Sequence, residues 1–555
     1  MTETWWQNSV VYQVYPRSFY DGNGDGIGDL AGIIEKLDYL AGLGIDVIWI
    51  SPVYQSPMDD NGYDIADYEN IAEEFGSMEE MKRLIQKAKE KGIEILMDLV
   101  INHSSDEHTW FIESKSSRDN PKRDWYIWRD SKKDGTPPNN LRAIFGGSCW
   151  TYEENTNQYY FHSFSKKQPD LNWENPELRQ ELYRMVRWWL EQGIAGFRVD
   201  AITFIKKPQT FEDVTPDADD GTAVVKPNNP GIGEFLQELK EEAFDVYDAL
   251  TVAEAPGVTK EELPEFIGEN GYFSMLIEFD HVDLDIDDSG RWYRTRSWNL
   301  EDFKDAVCAS QEIVNKTGWS ALYLENHDQP RSLNKFIPEK DRGITSAKLL
   351  ASIYFLLRGT PFIYQGQEIG MTNVRYDSIS EYDDLSTIDQ YESALREGIP
   401  EEEAYELVTN RSRDNSRTPM QWSGETHGGF SSADPWLKAN DNYTHINVEK
   451  SLEDADSLLY YYKNLVDLRK NSVHAHLFVH GTFENASENY PNIFAYKRCL
   501  PEKEVLVIGN FSDQAEIYDM ECSAGEKIIG NYEGINLSDA RLELRPFETA
   551  VIELV

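Results

Sequence analysis

Short runs of apolar and β-branched residues recur along the chain, at 10–15, 46–50, 93–100, 194–199, 250–253, more weakly at 273–279, then at 320–324 and 361–364. Each is too short for a helix, is bounded by turn-forming residues, and lacks the polar alternation of a half-wet strand. Such runs read as strands buried on both faces. Between them the period changes. In 78–91 the apolar residues Met78, Met81, Leu84 and Ile85 recur close to every 3.6 residues, and 176–192 has a similar stripe. Strands alternating with helices predict a parallel sheet, and eight of them predict a closed (β/α)8 TIM barrel, class α/β.

Two stretches break that rhythm. Residues 104–171 are too long for a connection and are rich in Trp, Tyr, Asp, Lys and Asn, so they predict a small domain inserted after the third strand. Beyond residue 471 short alternating runs appear, at 492–496, 505–508 and 549–554, the pattern of an all-β sandwich. The expected organisation is barrel over 1–103, inserted domain over 104–171, barrel again over 172–472, and a C-terminal β-sandwich over 473–555. Within the second barrel part, residues 371–443 are expected to frame the mouth of the site, and a helix at 458–468 to complete the barrel.

Charge narrows the choice of partner. Asp and Glu number 99 against 53 Lys and Arg, a net charge of −46. Such a surface repels nucleic acid and anionic membranes and favours a neutral substrate. Cys149, Cys308, Cys499 and Cys522 form no CxxC pair and no disulfide framework. The N-terminus shows no basic segment followed by an apolar run, and no stretch of about 18 apolar residues occurs. A cytoplasmic protein without a membrane span is expected.

Three motifs place a carboxylate where a predicted strand ends: Gly196-Phe197-Arg198-Val199-Asp200, Val252-Ala253-Glu254-Ala255 and Asn326-His327-Asp328. One acid at a strand end is ordinarily a helix cap or a solvated loop residue. Three at successive strand ends of one barrel share a face, the face where such barrels do their chemistry. Two carboxylates on one face suffice to break a glycosidic bond. Arg198 lies two residues before Asp200, so both side chains point to the same side of the strand. The cation is expected to keep Asp200 ionised as nucleophile. Glu254 has no cation beside it in sequence and apolar neighbours, which is expected to raise its pKa and suit a proton donor.

These motifs make the chain resemble the α-amylase family of glycoside hydrolases, most closely its oligo-1,6-glucosidase and α-glucosidase branch. The matching segments cover nearly the whole chain. They include Gly44–Pro52, Asp98-Leu-Val-Ile-Asn102-His103, Gln168-Pro169-Asp170-Leu171-Asn172, Ala253-Glu254-Ala255-Pro256-Gly257-Val258, Asn326-His327-Asp328-Gln329-Pro330-Arg331 and Ser412–Trp422. The resemblance implies that Asp200 is the nucleophile, Glu254 the general acid and base, and Asp328 the group holding hydroxyls of the reacting sugar. It implies that Asp60, Tyr63, His103, Arg198, His327 and Arg413 line the pocket for a terminal glucose.

A further segment, Asp21-Gly22-Asn23-Gly24-Asp25-Gly26-Ile27-Gly28-Asp29, alternates oxygen-bearing residues with glycines and so can wrap a hard cation. It lacks the closing Glu of an EF-hand loop, since Gly32 stands at the twelfth position. The resemblance implies a structural Ca²⁺ here, with Mg²⁺ as the alternative, held by Asp21, Asn23, Asp25, the Ile27 carbonyl and Asp29. The activity implied is that of an exo-acting, retaining α-glucosidase on short oligosaccharides, a monomer or homodimer. In the resembled branch Val directly after the nucleophile goes with α-1,6 bonds and smaller or polar residues with α-1,4 bonds. Ala201 therefore favours α-1,4 bonds over the oligo-1,6-glucosidase alternative. A sucrose isomerase is disfavoured, because 283–287 reads Asp-Leu-Asp-Ile-Asp without arginines. For a trehalose-6-phosphate hydrolase, Lys206 and Lys207 are the candidate phosphate ligands.

Overall fold

The computed structural model describes residues 4–217, 221–287, 289–520, 523–538 and 540–555. Cys522 and the first three residues of the N-terminal reading lie outside the described residues. Eight parallel strands form the centre: β1 Val11–Val14, β2 Val47–Ile50, β3 Glu94–Val100, β4 Gly196–Asp200, β5 Leu250–Glu254, β6 Met275–Ile277, β7 Ala321–Leu322 and β8 Thr360–Tyr364. Their order around the sheet is β6-β5-β4-β3-β2-β1-β8-β7, and a parallel bridge from Leu276 to Ser320 brings the two ends together into a nearly closed barrel. β1, β2, β4 and β8 are buried along their whole length. That burial is why their sequences run apolar instead of alternating. The register sets Arg198 of β4 beside Asp98 of β3 and Val252 of β5. Gly196 opens β4 at φ 156°, and a Cβ there would lie 1.8 Å from the Leu250 carbonyl oxygen. Only glycine lets β4 and β5 approach so closely.

The helices expected at 78–91 and 176–192 are Met78–Glu90 and Pro176–Glu191, each opened by a side-chain cap, from Ser77 and Asn175 respectively. Between β3 and β4 stands a three-stranded antiparallel sheet of Trp128–Arg129, Gln158–Phe161 and Trp150–Glu153. Its small core of Ile127, Leu141, Trp150 and Phe161 also takes in Ala201, Phe204, Phe211 and Val225 from beyond β4. The inserted segment thus packs directly against the loop that follows Asp200.

After β8 come the helices Leu385–Arg396, Glu401–Thr409 and Asp414–Arg417. The C-terminal part is all-β. A five-stranded antiparallel sheet faces a three-stranded one of Glu516–Asp519, Arg541–Leu544 and Asn536–Ser538. Ile493, Leu506, Ile508, Tyr518, Leu542 and Leu544 fill the space between them.

Candidate active site

A cavity of about 420 Å³ opens at the C-terminal ends of the barrel strands. Asp60, Tyr63, His103, Asp200, Glu254, Asp328 and Arg413 line it. That volume lies in the range of small-molecule sites. Of the nine catalytic and pocket residues expected from the sequence, these seven line the cavity; Arg198 and His327 lie directly behind them.

Arg198 is the centre of the arrangement, buried to 1% exposure at the barrel mouth. Its Nη1 donates to Asp200 Oδ1 at 2.7 Å and to Asp98 Oδ1 at 2.8 Å, and its Nη2 lies 2.8 Å from Glu254 Oε2. Glu254 Oε2 also accepts from the Ala201 N–H at 3.0 Å. This corrects the sequence reading of Glu254. Its neighbours in sequence are apolar, but the barrel brings in a guanidinium from 56 positions earlier, 2.8 Å from its Oε2. The reading of Asp200 changes as well. Burial, with Glu254 and Asp98 nearby, pushes its carboxyl well above the usual range, against the pull of Arg198. Burial likewise raises Asp98 to about 6, although Arg198 and the Tyr63 hydroxyl pull it down. Asp98, Asp200 and Glu254 thus share the one Arg198 guanidinium.

Asp328 has the opposite environment. Burial disfavours its charge, but His327, Arg417 and Arg413 overcome that and hold its carboxyl far below the usual range. Arg417 Nη2 donates to Asp328 Oδ1 at 2.6 Å, and Arg413 Nη1 stands 3.5 Å away. The Gln13 amide nitrogen sits 2.8 Å from His327 Nδ1, which places the ring proton on Nε2, toward the Tyr63 hydroxyl at 2.6 Å and Asp328 Oδ2 at 3.3 Å. Tyr63 in turn donates to Asp98 Oδ2 at 3.0 Å. Burial lowers the His327 pKa to about 3, so the ring is neutral.

The closed end of the cavity is a second ion-pair set. Arg413 reaches Asp60 Oδ1 at 3.1 Å and Asp384 Oδ1 at 2.7 Å, and its guanidinium lies 5.1 Å from the Phe145 ring centroid. Gln168 Nε2 donates to Asp60 Oδ2 at 3.0 Å and stands 3.2 Å from His103 Nε2. Burial lowers His103 to about 4.

Lys206 and Lys207 do not face the cavity. Lys207 is buried at 4% exposure, with Nζ 2.9 Å from Asp170 Oδ2 and 2.7 Å from Asn102 Oδ1. Lys206 pairs with Glu174 at 2.6 Å. Neither is free to bind a phosphate. The acids of 283–287 are tied up too, with Arg411 pairing to both Asp283 and Asp285.

In the 21–29 loop, Asp21 accepts from the N–H groups of Asn23, Gly24 and Gly26 and from the Ser431 hydroxyl. Asp29 caps the helix Leu30–Leu43. The donors are hard oxygens, the chemistry that suits Ca²⁺ or Mg²⁺. Among the described residues no group of three or more His, Cys, Asp or Glu converges as a metal cluster.

Asp98 and Arg417 were not singled out by the sequence reading, although both lie inside matching segments. Asp98 could have been found from the register of β3 against β4. Arg417 required the tertiary path of the chain after β8.

Comparison with known proteins places these features in context. A family model described as alpha amylase, catalytic domain, matches residues 13–477, and one described as alpha-amylase SusG C-terminal domain matches residues 493–551. The chain is 47% identical over 562 residues to an oligo-1,6-glucosidase of Bacillus cereus, covering 100% of both. It is 42% identical to a glucan 1,6-alpha-glucosidase of Streptococcus pneumoniae, again covering 100% of both. Among solved structures it matches an isomaltulose synthase from Protaminobacter rubrum with TM-score 0.94 at 40% identity, covering 100% of each chain.

Proposed function

Because this chain belongs to the α-amylase family of glycoside hydrolases, we propose that it is an exo-acting, retaining α-glucosidase that removes terminal glucose from short oligosaccharides. The observation that carries this reading is the single Arg198 guanidinium held by both Asp200 and Glu254. Two carboxylates on one guanidinium are held close together on the cavity wall, as a retaining enzyme requires of its nucleophile and its general acid and base. Asp200 attacks the anomeric carbon while Glu254 gives its proton to the departing oxygen. Glu254 then takes a proton from water, which displaces Asp200. Asp328, held ionised, takes hydroxyls of the bound glucose, with His103 and His327 alongside as neutral rings. The Arg413–Asp60–Asp384 set closes the far end, which blocks a longer glycone and supports exo action.

For linkage, the full-length relatives named for α-1,6 activity support hydrolysis of α-1,6 bonds, the opposite of the preference expected from Ala201. The backbone of Ala201 is left-handed, φ 43°. A β-branched residue there carries strain, so the choice of alanine is not set by the bond cleaved alone. The α-1,4 reading is kept as the second, on the space Ala201 leaves at the cavity wall. Trehalose 6-phosphate is disfavoured by the buried pairing of Lys207. We further propose a structural Ca²⁺ on the 21–29 loop and a cytoplasmic setting. Among the described residues no helix is long and apolar enough to cross a membrane.

The test is kcat/KM on isomaltose, maltose, sucrose and trehalose 6-phosphate, with Asp200→Asn and Glu254→Gln as inactive controls. Isomaltose is expected to lead. Activity surviving in either folded variant would refute the assigned roles.

A further inference from the structure

The far face of the barrel carries a second cavity, of about 470 Å³. It is lined by the segments that lead into β1, β5, β6 and β7, whereas the catalytic cavity opens where the strands end. β5 spans the distance between the two. Thr251 lines the far-face cavity, and Glu254, three residues on and about 10 Å along the strand, lines the catalytic one. A ligand in the far-face cavity is therefore out of reach of the reacting carboxyls.

Two half-buried aromatic residues stand in its wall, Trp6 and Tyr272. Both are fixed by the protein. The Trp6 ring packs edge-on against Trp319, centroids 6.2 Å apart, and the Trp6 carbonyl accepts from the Thr360 hydroxyl at 3.0 Å. The Tyr272 ring packs edge-on against Phe266 at 5.5 Å. Trp5, Val246 and Tyr247, each next in sequence to a lining residue, are 44%, 57% and 40% exposed. Large apolar groups left in water beside a cavity mark a binding surface. Lys240 and Phe244 line the cavity from the π-helical turn Lys240–Phe244, a rare element that recurs at functional sites.

The charged residues of the wall are Lys240, Asp245, Asp248 and Glu269, one cation against three anions. Lys240 lies 3.6 Å from Asp245. The Asp248 and Glu269 carboxylates and the Asn270 amide make no hydrogen bond or ion pair among the described residues. The excess of negative charge repels phosphates and other anions. Carboxylates accept hydrogen bonds and an amide donates and accepts them, so together they answer both halves of a hydroxyl group. Fixed aromatic rings with a few polar groups beside them suit a ligand that has apolar CH faces and hydroxyl edges. That is the chemistry of a neutral sugar.

We propose that this cavity is a non-catalytic binding site for a neutral oligosaccharide, with Trp6 and Tyr272 against the sugar face and Asp248, Glu269 and Asn270 on its hydroxyls.

The experiment counts isomaltotriose molecules bound per chain at saturation, by equilibrium dialysis, in Asp200→Asn so that nothing is turned over. Two are expected in Asp200→Asn and one in Asp200→Asn with Trp6→Ala, a twofold fall. In the wild-type background Trp6→Ala is expected to leave kcat/KM on p-nitrophenyl α-glucoside unchanged. Should Trp6→Ala fail to fold, Glu269→Gln with Asn270→Ala, both on an exposed loop, is expected to weaken the second binding step about tenfold and leave the first alone. One sugar per chain in Asp200→Asn would overturn the proposal. So would two that persist in the Trp6→Ala or the Glu269→Gln, Asn270→Ala chain with unaltered affinity.

Discussion

Lys207→Met is the substitution that separates a structural cation from a ligand-binding one. Lys207 follows β4, Asn102 follows β3, and Asp170 lies in the returning arm of the inserted segment. One ammonium group ties all three together, 2.9 Å from Asp170 and 2.7 Å from Asn102. Asp170 is fully buried and also accepts from the Ser163 N–H at 2.8 Å. Methionine fills a similar volume but leaves that carboxylate without its cation. Losing one partner of a buried pair costs about 3–5 kcal/mol. The damage should centre on 168–172, where Gln168 supports Asp60 and His103, so the expectation is a lower Tm together with a raised KM for every substrate alike. Adding Asp170→Asn removes the orphaned charge and should restore at least half of the lost Tm. Thermal melting and kinetics on isomaltose and trehalose 6-phosphate check this. A Tm unchanged in Lys207→Met, with activity lost on trehalose 6-phosphate alone, would refute the reasoning and return Lys207 to the role of phosphate ligand.

Arg417→Met strips Asp328 of its nearest cation. It should lower kcat/KM on isomaltose by at least a hundredfold, and the acid limb of the pH profile should move upward, as seen by initial rates from pH 4 to 8. Burial holds His103, His108 and His162 at about 4 and His327 at about 3, all below the ordinary histidine value. The unfolded chain binds those protons first. The stability they contribute is therefore full above pH 6.5 and is lost as pH falls toward 4, at about 1.4 kcal/mol per pH unit for each ring. Raised carboxyls such as Asp98 and Asp200 gain protons in the folded state over the same window, so the check compares wild type with His162→Gln: the Tm of the variant should fall less between pH 7.5 and 4.5, and an identical fall would contradict the neutral burial of that ring. Removing Ca²⁺ with a chelator should lower the Tm by several degrees, with Asp21→Ala no longer responding. A Tm indifferent to chelator, with no ion found by elemental analysis, would end the metal proposal.

The barrel was legible because its strands are buried on both faces, so each appears in the sequence as an uninterrupted apolar run. β6 and β7 were harder to read. β7 is two residues long, and a run of that length carries no period. The positions of Asp200 and Glu254, the last residues of β4 and β5, were legible for the same reason as the strands, whereas Asp328 lies in the loop beyond β7 and not at its end. Their electrostatics were not. The reading of Glu254 as an acid in apolar company weighed its neighbours along the chain, whereas the deciding group, Arg198, arrives across the sheet. Lys207 read as a candidate phosphate ligand because nothing local marks its burial.

The path of the chain after β8 has a consequence for how the enzyme comes into being. Arg413 closes on Asp60, and Arg417 on Asp328. The sugar-holding wall thus joins Asp60, early in the chain, and Asp328 to a segment three-quarters of the way along it. A ribosome releasing this chain exposes both carboxylates of the reacting pair long before either arginine exists. Substrate grip arrives in a single late step, when residue 417 clears the exit tunnel and docks. A chain ending short of that residue lacks Arg417 and its ion pair with Asp328, so incomplete products of synthesis cannot complete the sugar-holding wall.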